Sequence, residues 1–87
     1  MLKILRRSDS NIVFTLIGRL EAENMTDLRE VLAAESSASG VVLDLADLVL
    51  VDRDAVGFLR ECERDGIVLL NCPQYIRTWI QSEEERS

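Results

Sequence analysis

The sequence predicts an α/β fold, with a four-stranded mixed sheet and three helices in one small domain that spans residues 1–87. The chain length of 87 residues is that of a single small domain, and 47% of the residues are hydrophobic, which is enough for a modest core. Apolar runs typical of strands alternate with segments of helical apolar spacing, in the order β-β-α-β-α-β-α. Because such alternation implies right-handed parallel crossovers, only an N-terminal hairpin is expected to be antiparallel.

The hairpin is predicted from two short runs joined by turn-forming residues. The first run, 2–7, alternates weakly and ends in Arg6 and Arg7, which we expect to be a solvated edge. Residues 8–11 are Ser-Asp-Ser-Asn, which is turn chemistry. The second run, 12–17, is almost wholly apolar, and a strand there would place its even positions Ile12, Phe14 and Leu16 on one face and its odd positions on the other.

A first helix is predicted over residues 21–36. Its apolar face consists of Met25, Leu28, Val31 and Leu32, which recur at helical spacing. Either Asn24 with Asp27 caps this helix, or the helix begins one turn earlier at Glu21. The small polar residues 36–40 then end it and form a loop.

The central segment 41–59 has the strongest pattern in the chain. Residues 41–45 form an apolar run, which suits a strand covered on both faces, and the apolar loop 46–51 is expected to lie against the core. Asp52 is a good N-cap for a following helix. That helix has one buried face, and Gly66 is placed to end it. The buried face consists of Ala55, Phe58, Leu59 and Cys62.

A short buried strand over 67–70 and a last helix that Pro73 opens complete the domain. Residues 82–87 are expected to be a frayed charged tail. The predicted core takes one or more residues from every strand and helix after the first hairpin strand. It consists of Phe14, Leu16, Leu28, Leu32, Val42, Leu43, Leu45, Phe58, Leu59, Leu69 and Trp79. Ile76 and Ile80 of the last helix are expected to be buried together with Trp79.

Composition excludes several classes of function. The net charge of −6 argues against nucleic-acid binding, which requires a basic face. No apolar run approaches the roughly 18 residues of a membrane span, and the N-terminus does not have a signal-peptide pattern. Without histidine or a phosphate-binding loop, catalysis and a cofactor are not expected. Cys62 and Cys72 are predicted to be buried structural thiols, and the protein to be cytoplasmic.

Three segments resemble the STAS family, the anti-sigma-factor antagonists and related domains of sulfate transporters. In VVLDLADLVLVDRDAVGFL, Asp44-Leu45 matches the strand end, Asp52 the first Asp of the family's Asp-Ser-Ser-Gly-Leu-Gly, and Val56-Gly57 the Leu-Gly. FTLIGRLEAENMTDLREVL resembles the family's strand-Gly-apolar-helix segment, and DGIVLLNCPQYIRTWI its closing strand and helix. The resemblance covers about residues 12–80 and implies a STAS-like domain.

The resemblance also implies a function and a site. Members of the STAS family are non-enzymatic interaction modules of partner switching. In them the Asp-Ser loop docks on a kinase-type anti-sigma factor, and phosphorylation of the Ser breaks the contact. Here Arg53 and Asp54 replace the Ser pair, so Asp54 occupies the position of the phosphorylated residue. Its fixed charge could lock the domain in a phosphorylated-like state of weak affinity, or the domain could be an unregulated binder whose partner tolerates Asp. The partner-binding residues implied are Asp52, Arg53, Asp54 and Gly57, on a monomer or weak dimer.

Two other functions stay open at this point. The domain could be a structural or oligomerising module without a switch. Alternatively, Asp44, Asp47, Asp52 and Asp54 could gather at the carboxyl ends of the strands and bind a metal ion or a nucleotide. Should Asp54 prove buried, the 36–40 loop would be the next candidate for an interaction site.

Overall fold

The computed structural model describes residues 2–8, 10–35 and 40–86, the last three of them as backbone. Within these ranges, five strands and three α-helices follow one another in the order that the sequence predicts, with one extra strand. The strands are β1 (Leu2–Ser8), β2 (Ile12–Leu20), β3 (Val41–Asp44), β4 (Leu48–Val51) and β5 (Val68–Leu70). The helices are α1 (Met25–Ala33), α2 (Arg53–Arg64) and α3 (Gln74–Arg86), and a 3₁₀ turn (Ala22–Asn24) precedes α1.

The sheet is mixed, as predicted, with the order β1-β2-β3-β5. β1 pairs antiparallel with β2, while β3 pairs parallel with both β2 and β5. The predicted strand count of four is too low, because the expected loop 46–51 contains β4, which pairs with the end of β2 beyond β3. β2 has nine residues and β3 only four, so the end of β2 has free ladder positions that β4 fills.

The helices cover only one face of the sheet, so the prediction that the 41–45 strand is covered on both faces is wrong. Along β3, Val41 and Leu43 are buried, whereas Val42 and Asp44 are half-exposed. The chain moves in one direction across the sheet, from β2 to β3 to β5. Two right-handed crossovers in the same direction place their helices on the same face. We call the uncovered side the open face of the sheet.

The core lies between the helices and the covered face of the sheet. Nine of the predicted core residues are buried there, namely Phe14, Leu16, Leu28, Leu43, Leu45, Phe58, Leu59, Ile76 and Ile80. Val42 is not part of the core, because its side chain lies on the open face. Leu32, Leu69 and Trp79 are partly buried at the margin of the core, where only one side of each packs against it. Cys62 is buried, but Cys72 is half-exposed, which corrects the expectation for this thiol.

The helix ends follow local capping chemistry. The backbone N–H of Glu21 donates to Oδ1 of Asn24 at 3.0 Å, so Glu21 is the N-cap of the 3₁₀ turn. The α-helix itself begins one turn later at Met25, after Asn24, whose side chain forms no cap bond to it. α1 ends at Ala33, ahead of the predicted 36, and residues 36–39 of the proposed loop lie outside the described residues. Gly66 has a φ of 97° and ends α2 as predicted. α3 continues through residue 86, and fraying of the 82–87 tail stays a prediction.

Candidate partner-binding surface at the start of the second helix

Asp52 ties the start of α2 to the start of the first helical segment. Its Oδ1 accepts a hydrogen bond from the backbone N–H of Ala55 at 2.9 Å, which is the predicted N-cap. Its Oδ2 accepts a second bond from the N–H of Ala22 at 2.8 Å. Both oxygens of this half-buried carboxylate thus bind amides at helix starts, where negative charge is favoured. Asp52 therefore fixes the shape of the surface around it.

Arg53 and Asp54 follow in the first turn of α2, and both are exposed, as the periodicity predicts. Nε of Arg53 lies 3.6 Å from Oε1 of Glu83 on α3, and the Arg53 side chain is 75% exposed. Asp54 forms no hydrogen bond or ion pair with any residue in the described part of the chain. Arg53 therefore does not neutralise its neighbour, and Asp54 presents its charge to solvent.

Gly57 lies one turn further along α2 and lines an open groove of about 480 Å³. A Cβ atom placed on Gly57 would have no heavy atom within 4 Å. Neither packing nor a left-handed backbone requires glycine here, since the positive-φ glycines are Gly18, Gly40 and Gly66. Glycine inside a helix costs about 0.5–1 kcal/mol relative to alanine, so its presence lowers stability without an internal benefit.

All three helices contribute side chains to this groove. Arg29 of α1 lies over the ring of Phe58, with its guanidinium carbon 4.8 Å from the ring centroid. The same guanidinium reaches Oε2 of Glu61 at 3.7 Å. The groove lining therefore carries both charge signs next to the aromatic ring of Phe58. The lining residues are Ala22, Met25, Arg29, Arg53, Asp54, Gly57, Phe58, Arg60, Glu61 and Glu83.

The two thiols do not provide a reactive group for this surface. Burial raises the pKa of Cys62 from 9.0 to about 12, with a further contribution from the charge of Asp65. Burial also raises the pKa of Cys72. Because the thiolate is the nucleophilic form, both cysteines are weak nucleophiles at neutral pH. Their environment supports the predicted structural role, although Cys72 is only partly buried.

The predicted carboxylate cluster does not form. Oδ1 of Asp44 accepts hydrogen bonds from the Ala46 N–H at 3.1 Å and from Nδ2 of Asn71 at 3.3 Å, while Asp52 caps two helix starts. Within the described ranges, no three acidic, cysteine or histidine side chains are placed to hold one metal ion. None of the helices in that same part of the chain is long and apolar enough to cross a membrane.

Of the residues that line the groove, sequence reasoning singled out Arg53, Asp54 and Gly57 on α2. It missed the residues that other elements contribute. Arg29 and Glu83 are distant in sequence from Asp54, and the predicted elements do not specify which helices are neighbours. Glu83 also fell in the segment expected to fray, yet its carboxylate pairs with Arg53 and accepts from Nε1 of Trp79 at 3.4 Å. Arg60 is one turn after Val56 on α2, and helical spacing could have placed it beside Gly57.

Comparison with known proteins identifies a shared fold but no relative by sequence. No family model matches the sequence, and no curated protein matches it. Among solved structures, the chain is similar to the anti-sigma factor antagonist SpoIIAA in its unphosphorylated form, with 19% sequence identity and a TM-score of 0.65. That similarity covers 99% of this chain and 94% of SpoIIAA. An uncharacterised DUF3478-family protein with a SpoIIAA-like fold, from Shewanella loihica, matches with 13% identity and a TM-score of 0.49, over 99% of this chain and 79% of that protein.

The similarity to SpoIIAA extends over almost the full length of both chains, which makes it a similarity of whole domains rather than of one shared motif. The mixed sheet, the N-terminal hairpin and the three helices agree with the fold that the sequence resemblance implies. The chain therefore has a STAS-like fold, of the kind found in the anti-sigma factor antagonist SpoIIAA.

Proposed function

We propose that this domain is a non-enzymatic protein-interaction module of partner switching, and that it docks through the start of α2. The carrying observation is that Asp54 is exposed and unpaired among the described residues, in the lining of a groove that Gly57 leaves open. The residues that form the surface are Asp52, Arg53, Asp54 and Gly57, with Asp52 in the role of shaping it. The fold shared with an anti-sigma factor antagonist supports this proposal.

The partner proposed is a kinase-type anti-sigma factor or a similar regulator in the cytoplasm. Asp54 replaces the Ser that such kinases modify in the family that the sequence resembles, and a serine kinase cannot phosphorylate a carboxylate. A phosphoserine carries about −1.5 to −2 charges, whereas Asp54 carries one permanent charge. We infer that the partner meets Asp54 with a basic side chain, so that binding continues without a phosphorylation switch.

Size-exclusion chromatography with the kinase-type anti-sigma factors of the same organism tests the proposal. We expect one of them to shift the elution of the domain, with no change after incubation with ATP. The Asp54→Ser variant should become phosphorylatable, and its affinity for that kinase should then depend on phosphorylation. No complex with any such kinase, or ATP-dependent release of the wild-type domain, would contradict the proposal.

A further inference from the structure

The open face of the sheet carries a second apolar surface, on the opposite side from the helices. The strand register aligns two rows of side chains across it. One row runs Arg7, Val13, Val42, Val68, and the other runs Leu5, Thr15, Asp44, Leu70. Leu5, Val68 and Leu70 are 45%, 55% and 41% exposed, and it is their grouping on one sheet face, rather than the exposure of any single one, that is informative. With strands about 4.8 Å apart, each row spans about 14 Å.

Charges on this face are opposite in sign to those of the chain as a whole. Lys3 and Arg7 on β1 and Arg19 on β2 have the open-face orientation, because Leu2, Ile4 and Leu20 alternate with them and pack toward the core. The described residues offer none of these three cations an ion-pair partner.

Asp44 is the acidic strand residue that shares this face in the described part of the chain, and two hydrogen bonds already engage one of its oxygens. The net charge of the chain is −6. The excess of acidic residues therefore lies elsewhere, and the open face is an apolar surface with a basic margin.

We propose that the open face binds an acidic amphipathic helix of a partner protein. A helix laid on a sheet is the usual way to cover a sheet face, and its diameter of about 10 Å fits within the 14 Å rows. Its apolar stripe would cover Leu5, Val42 and Val68, and acidic residues on its flank would pair with Lys3 and Arg7. This surface is separate from the α2 groove, and the proposal does not rest on the function proposed above.

Two other occupants fit the surface less well. A second copy of the chain, placed face to face, would bring basic margins together without an equal number of acids. An anionic membrane would gain about 1 kcal/mol for each cation, and the described strand residues place no aromatic side chain on this face to anchor it in the lipid interface. An acidic helix supplies both the apolar contacts and the complementary charge.

Titration with two synthetic helical peptides, followed by NMR and calorimetry, tests the inference. Both peptides carry the same leucine stripe, and one is flanked by Glu and the other by Lys. Two surface charge pairs, to Lys3 and Arg7, predict that the Glu-flanked peptide binds up to about tenfold more tightly. The largest amide shifts should map to Val13, Val42 and Val68 rather than to α2.

Matched variants separate the face from general charge effects. Arg7→Glu should weaken binding of the Glu-flanked peptide about three- to fivefold. Arg64→Glu should leave binding unchanged, since Arg64 is likewise exposed but lies at the end of α2. Arg7→Glu should also leave the complex formed through the α2 groove intact, so that failure of one proposal is distinguishable from failure of the other.

Four results would overturn the inference. The first is equal affinity for the two peptides, and the second is a set of shifts confined to the α2 groove. The third is tighter binding to phosphatidylserine vesicles than to the Glu-flanked peptide, which would make the occupant a membrane. The fourth is a dimer in sedimentation equilibrium that Leu5→Thr abolishes, which would make the occupant a second copy.

Discussion

Replacing Gly57 should stabilise the domain while damaging the proposed docking surface. Gly57 is inside α2, and a Cβ atom at this position would contact nothing within 4 Å. Gly57→Ala should therefore raise the free energy of unfolding by about 0.5–1 kcal/mol, because alanine loses less backbone entropy in a helix. For a domain of this size, that corresponds to about 2–8 °C in Tm.

A larger side chain at the same position tests the groove as a docking site. Gly57→Gln should retain at least wild-type stability, since the side chain points into open space, but it should fill the groove and weaken the partner complex. Ala33→Gln is the matched control, because Ala33 is exposed on α1 and does not line the groove. Thermal melts and calorimetric titration measure the two effects. A lower Tm for Gly57→Ala would show that the space is not open, and wild-type affinity of Gly57→Gln would show that the partner binds elsewhere.

Two further predictions concern stability. Asp52→Asn keeps an N-cap oxygen but loses the second acceptor for the Ala22 N–H, so it should lower the free energy of unfolding by about 1 kcal/mol. Asp52→Ala loses both bonds and should lower it by about 2–3 kcal/mol. Equal losses in urea melts would refute the bridging role. Burial raises the pKa of Cys62 to about 12, so between pH 9 and 12 the unfolded state ionises first and binds fewer protons than the folded state. Stability should then fall with rising pH by up to about 1.4 kcal/mol per pH unit, and Cys62→Ala should lose this slope; an unchanged alkaline slope in Cys62→Ala would assign it to other groups.

Local sequence patterns were sufficient for the order of all elements except β4 and for the cap and the exposed residues at the start of α2. The Asp52 cap, the inward face of α2 and the Gly66 terminus each depend on residues within one or two turns of one another. Such short-range chemistry can be inferred without knowledge of the tertiary structure. The exposure of Asp54 follows from the same periodicity, because inward placement of Ala55 and Phe58 turns it outward.

The errors arise where the answer depends on which elements are neighbours. An apolar run such as 41–45 suits a strand that is covered on both faces. Only the direction of the two crossovers shows that the helices cover one face of this strand and leave the other open. β4 formed because β2 extends past β3, which the four apolar residues 48–51 alone do not reveal. In the same way, Arg29 and Glu83 entered the groove through helix packing that no local pattern encodes.

Calorimetric titration of an identified partner with Asp54→Ala tests the central claim most directly. The matched control is Asp27→Ala, because Asp27 is also an exposed acidic residue in the first turn of a helix, but it does not line the groove. Each substitution should cost the fold a similar amount, at most about 1 kcal/mol of helix-dipole stabilisation. Our account predicts that Asp54→Ala weakens the complex at least about fivefold and that Asp27→Ala leaves its affinity unchanged. Equal affinities for the wild type and the two variants would contradict the assignment of the α2 start as the docking surface.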